Sequence, residues 1–142
     1  MIGANPGDAN LVKLLGNMMS ATALEMLGEV VAVIRKRGMD PLPFIDIVTS
    51  TMFGGRAHKI YGEKIAKENY AAGFVLPLVL KDVRLALAEA EQAGAPMPSV
   101  AVVRDRLITG IARGYGELDW TALGLVAAEE AGLFTAPAVT GE

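Results

Sequence analysis

Apolar positions recur three or four residues apart at Leu11, Leu14, Leu15, Met18, Thr22, Met26, Val30, Val33 and Ile34. That is the period of an amphipathic helix. The pattern predicts one long helix opening near Gly7–Asp8, where Asp8 can cap free amides. It closes at Gly38, after the basic run Arg35–Lys36–Arg37 that suits the negative end of the helix dipole. About 30 residues would span roughly 45 Å, longer than a small domain is wide. Asp40–Pro41 then opens a short helix through about Thr49, and Gly54–Gly55 breaks it. A helix from about Arg56 to Asn69 follows, then a turn at Ala72–Gly73 and a helix from about Leu76 to Ala93 with Val79, Val83, Ala86 and Ala90 inward. Gly94 to Pro98 is a stop and restart. The next helix, about Ser99 to Arg113, turns Val100, Val103, Leu107 and Ile111 inward. Gly114–Tyr115–Gly116 reads as a loop, and Asp119 as the cap of a last helix through about Glu130, with Gly132 as its stop. Six helices without a convincing strand or internal repeat make the chain all-α.

The length of 142 residues, 52% hydrophobic, fits one core. Residues 1–134 are expected to form that domain and 135–142 a frayed tail. Thirteen basic and sixteen acidic residues are mixed along the chain, for a net charge of -3, without the basic stripe that nucleic acid requires. The segment Met18 to Ile34 is apolar enough to raise a membrane span, but Glu25 and Glu29 would each cost a few kcal/mol at the bilayer centre. Neither nucleic acid nor a membrane is therefore expected as partner. A mean hydropathy of +0.38 in a non-membrane chain suggests apolar surface kept for another domain or subunit. The absence of cysteine excludes disulfides and thiolate metal sites and is compatible with a reducing cytoplasm; the start of the chain offers no basic signal-peptide region.

Chemistry is sparse. Gly114–Tyr115–Gly116 follows a helix rather than a strand, so it lacks the context of a dinucleotide-binding turn. No metal site is expected: His58 is the one histidine and reads as a surface residue. Lys13, Asn17 and Ser20, at i, i+4 and i+7, share one face of the long helix. Such a lysine can act as a proton shuttle if burial lowers its pKa, and by spacing alone it can equally be a solvated charge.

Other residues carry a resemblance. The run Gly7-Asp8-Ala9-Asn10-Leu11-Val12-Lys13-Leu14-Leu15-Gly16-Asn17 resembles the G-x-G-x-x-x-K-x-x-N-N segment that opens the C-terminal domain of 3-hydroxyisobutyrate dehydrogenases and other β-hydroxyacid dehydrogenases, a 6-phosphogluconate dehydrogenase-like helical domain. Ala9 replaces the second glycine and Gly16 the first asparagine. Gly73–Phe74, Leu80–Lys81–Asp82 and Leu85–Ala86 resemble the family's G-F-(x)5-L-K-D-(x)2-L-A segment, and Gly38-Met39-Asp40-Pro41 its G-x-D-P turn. Pro96 and Asp119-Trp120-Thr121-Ala122 continue the match, so it covers nearly the whole chain.

The resemblance implies that Lys13 is the general acid/base and that Asn17 orients Lys13 or the substrate. It also implies that Phe74 lines the pocket, with Lys81 and Asp82 near the substrate and nicotinamide end. Each has an ordinary structural use as well: Phe74 as core, Lys81 as a solvated charge, Asp82 as a first-turn acid on its helix. NAD or NADP is expected as cofactor, bound mainly by a Rossmann domain outside this chain, so that this chain alone binds none and is inactive. A small hydroxy acid is the expected substrate and a homodimer through the long helix the expected assembly. Imine reductases resemble this family in fold but generally lack a lysine at the position of Lys13. A helical dimerisation module without chemistry is the reading from a different class.

Overall fold

The computed structural model describes residues 6–133, with side chains from 7 to 133; the expected tail at 135–142 lies outside the described residues. The order is α1 (Pro6–Lys36), α2 (Leu42–Ser50), α3 (Arg56–Ala66), α4 (Leu76–Gln92), α5 (Pro98–Ala112), a 3₁₀ turn (Trp120–Ala122) and α6 (Leu123–Glu130). The all-α expectation is borne out. The β-type pairing among the described residues is a single antiparallel bridge between Val75 and Asp119.

The long helix buries a different face from the expected stripe. Met18, Ala21, Leu24, Val31 and Ala32 are buried, whereas Leu11, Leu15, Met26 and Val33 are exposed. The reason lies in α6, which is buried from Leu123 through Ala128 and crosses α1 at two glycines. A Cβ on Gly28 would stand 2.6 Å from the Cα of Gly124, so only glycine permits this approach. Each large aliphatic side chain sealed there, such as Leu24, Leu123 and Leu125, contributes about 1.5–3 kcal/mol on leaving water. By length and composition α1 could cross a membrane, with a mean hydropathy of 1.3 over 18 residues. One face of it, through Met18, Ala21, Leu24, Gly28, Val31 and Ala32, packs within the domain, and 39% of that apolar window is buried.

Glu25 faces the same junction with 5% of its surface exposed. Arg106 of α5 brings Nε to 2.8 Å from Glu25 Oε1 and Nη2 to 3.5 Å from Glu29, and its Nη1 pairs closely with Glu130 of α6. Neither Glu25 oxygen is aligned for a hydrogen bond. Burial pushes Glu25 up from the ordinary 4.5 to about 7; Arg106 pulls it down, and neighbouring Glu29 and Glu130 add to the rise.

Helix ends follow local chemistry, with two exceptions. Asp40 accepts from the Leu42 N–H at 3.0 Å to start α2, as expected. The third helix stops at Ala66 rather than near Asn69, because Glu68 takes a left-handed φ of 54°. Arg35 of α1 holds that end, donating to the Ala66 carbonyl at 2.9 Å and to Glu68 at 2.7 Å. Asp119 caps the 3₁₀ turn rather than α6 itself, which begins at Leu123. His58, expected on the surface, is half-buried, with its ring centroid 5.9 Å from that of Phe53.

Candidate active site

Three separate segments converge on one groove. Lys13, Asn17 and Ser20 come from the first half of α1, Lys81 and Asp82 from α4, and Phe74 from the turn before α4. A hollow of about 540 Å³ collects all six, with Ala57 and Tyr61 of α3, Leu78 and Trp120 completing its wall. A second hollow, of about 620 Å³, shares Lys13, Asn17, Lys81 and Asp82 and extends toward the start of α1 past Asp8, Asn10 and Glu89. The structure therefore brings together Lys13, Asn17, Phe74, Lys81 and Asp82.

Contacts across the groove are polar and long. Asn17 Nδ2 donates to Asp82 Oδ2 at 3.5 Å, bridging two helices 65 positions apart in sequence. Lys81 Nζ lies 3.8 Å from Asp82 Oδ1 with 66% of its side chain exposed, a geometry that leaves the ammonium accessible to a bound anion. Lys13 is exposed and Asn17 and Asp82 are half-buried. One side of the groove thus offers two cations, an amide and a carboxylate.

The other side is aromatic. Phe74 and Trp120 meet at 5.4 Å and 62°, Tyr61 and Trp120 at 5.2 Å and 88°, the edge-to-face arrangement that aromatic quadrupoles favour. Trp120 is only 4% exposed, and its Nε1 is enclosed without a hydrogen-bond partner. Two short bonds fix this wall: the Trp120 N–H donates to the Phe74 carbonyl at 2.8 Å, and the Asp119 N–H to the Tyr70 carbonyl at 3.1 Å. Sequence reasoning did not single out Tyr61 or Trp120 as site residues. Trp120 lay inside a recognisable segment, whereas nothing in the pattern of α3 distinguishes Tyr61 from a core aromatic.

A groove with cations, an amide and an acid on one side and aromatic rings on the other suits a small acid beside a flat ring. Among the described residues it lacks the glycine-rich turn between strand and helix that holds a pyrophosphate, and no group of three histidine, aspartate or glutamate side chains could hold a metal ion. The family model described as NAD-binding of NADP-dependent 3-hydroxyisobutyrate dehydrogenase matches residues 7–132. The chain belongs to that family. It is 34% identical over 123 residues to an uncharacterized oxidoreductase of Bacillus subtilis, covering 86% of this chain and 43% of the relative. It is 28% identical to the 2-hydroxy-3-oxopropionate reductase of Escherichia coli, over 87% of this chain and 42% of that protein. With the 3-sulfolactaldehyde reductase of Escherichia coli it shares 33% identity, over 83% and 40%. The chain thus spans less than half the length of these relatives. A crystal structure of 3-hydroxyisobutyrate dehydrogenase from Salmonella typhimurium superposes with a TM-score of 0.80 at 18% identity, over 88% of this chain and 44% of that one, which shows a shared fold. The resemblance read from the motifs is borne out.

Proposed function

We propose that this chain is the substrate-binding, catalytic-lysine-bearing and dimerisation domain of an NAD(P)-dependent 3-hydroxyacid oxidoreductase, inactive without a nucleotide-binding half. The observation that carries the reading is the groove, where the Lys13–Asn17 face of α1 and the Lys81–Asp82 pair of α4 meet beside Phe74. When bound, the nicotinamide would supply the hydride acceptor for oxidation or the donor for reduction. The residues present suit the substrate and nicotinamide end, with Phe74, Lys81 and Asp82 facing it and the phosphates held elsewhere.

Lys13, exposed in this chain and buried only once a nucleotide-binding half covers the groove, then acts as the base: it takes the hydroxyl proton as the carbon–hydrogen bond yields its hydride, and returns that proton to the carbonyl oxygen in reduction. Asn17, tied to Asp82, orients the reacting oxygen against Lys13. Lys81 attracts the substrate carboxylate, and the aromatic wall excludes water from the far side. Retention of Lys13 favours the hydroxyacid reading over an imine reductase.

Dimerisation is proposed from the face of α1 left outside this core. Met19, Met26 and Val33 lie exposed on α1; Met26 shares a hollow with Phe53 after α2, next in the chain to the 87% exposed Met52. A second copy would take this apolar surface out of water.

The test uses the enzyme in which this chain is joined to its nucleotide-binding half, assayed with 3-hydroxyisobutyrate and with 2-hydroxy-3-oxopropionate. Lys13→Met should lower kcat by about 10²–10⁴-fold, the range of positioned acid/base catalysis, with cofactor affinity nearly unchanged. Lys36→Met, at the other end of α1, should leave kcat unaltered. A Lys13→Met enzyme within about threefold of wild type, far below that range, would end the catalytic reading.

A further inference from the structure

Asp119 does more than a helix cap requires. A cap needs one oxygen for one amide. Here Oδ1 accepts from the Thr121 N–H at 3.2 Å and the Thr121 hydroxyl at 2.7 Å, and Lys64 Nζ stands 3.4 Å from it. The second oxygen, Oδ2, is engaged by another segment, accepting from the Phe74 N–H at 3.1 Å. Gly73 makes room for this approach, since a Cβ there would stand 2.6 Å from Oδ2. The Asp119 side chain is 3% exposed, and a buried carboxylate is retained at a desolvation cost that only good partners offset.

We infer that Asp119 is a positioning residue for the substrate groove, clasping the Gly73–Phe74 turn to the 3₁₀ turn and so fixing the Phe74 and Trp120 rings that wall it. Both rings sit beside the residues this carboxylate holds, Phe74 by its own N–H and Trp120 as the next residue in the chain. The inference rests on the reading that the groove binds substrate. Asp119→Asn keeps the volume and one acceptor but turns an NH₂ toward either Thr121 or Phe74. Lys64→Met removes the counter-ion at a half-buried site and endangers folding less.

In the joined enzyme, Asp119→Asn should raise the KM for 3-hydroxyisobutyrate by about tenfold, the KM for NADP moving less than about twofold. Lys64→Met should shift the substrate KM in the same direction by a smaller factor. A merely structural cap would lower Tm and the folded fraction and leave the substrate KM of folded enzyme unchanged. An unchanged substrate KM in both variants overturns the inference, and if Asp119→Asn does not fold, Lys64→Met decides alone. Lys13→Met separates the two claims. Turnover surviving in Lys13→Met removes the catalytic reading, whereas a dead Lys13→Met with unmoved KM in the other two removes only the positioning role. A wild-type enzyme inert toward both test compounds removes both.

Discussion

Glu25 makes the stability of this domain depend on pH in an unusual direction. Most carboxylates in folded proteins gain partners and are held low, so that acid destabilises. Glu25 is instead pushed up by burial from 4.5 to about 7, more than Arg106 can offset. The folded state therefore binds more protons than the unfolded state between those two values. Stability from this group is fully present below about pH 4.5 and is lost as pH rises toward and through about 7. The full loss is about 3 kcal/mol, of which roughly 2 fall between pH 5 and 8. Glu25→Gln keeps the shape without an ionisable proton, and Arg106 keeps Glu29 and Glu130 as partners. Urea unfolding of both proteins at about pH 5 and about pH 8 supplies the assay. The difference between their stabilities reports the ionisation of Glu25 together with its coupling to Glu29 and Glu130. The variant should gain on the wild type by about 2 kcal/mol as pH rises across that span. Parallel pH profiles would refute the argument and show that water or movement of Arg106 keeps Glu25 ionised at no cost.

Three further outcomes follow from the packing. Gly28→Ala, whose new Cβ would meet the Gly124 Cα at 2.6 Å, should cost about 1–3 kcal/mol as α1 and α6 are forced apart, read as a lower Tm. Titration calorimetry of this chain alone with NAD and with NADP should show no binding, and micromolar affinity would contradict the division of labour proposed above. Light scattering should report about twice the chain mass of 14.9 kDa, and Met26→Lys should shift it to a folded monomer of unchanged helix content, because a charge on the shared face is desolvated only in the dimer.

The sequence by itself determined the helices, their approximate ends and the identity of the family. These are local matters, since a 3.6-residue period, Pro near helix starts and Gly after helix ends act within a few positions. The segments around Lys13 and around Gly73 to Ala86 were likewise legible, because each is a short run of fixed spacing. Tertiary structure alone decided which face of α1 is inside. The apolar stripe spans more than half of that helix's circumference, so periodicity permitted several faces, and the glycine crossing with α6 selected the one through Ala21, Leu24 and Gly28. It also decided where α3 ends, because Arg35, 30 positions earlier, supplies the partner for its last carbonyls. The same holds for Asp119, legible as a cap for its neighbour Thr121 but not as a partner of Phe74, 45 positions away. Bonds of that kind form only after helices of independent sequence have packed, and a reading along the chain holds no information on which distant group will complete a buried carboxylate.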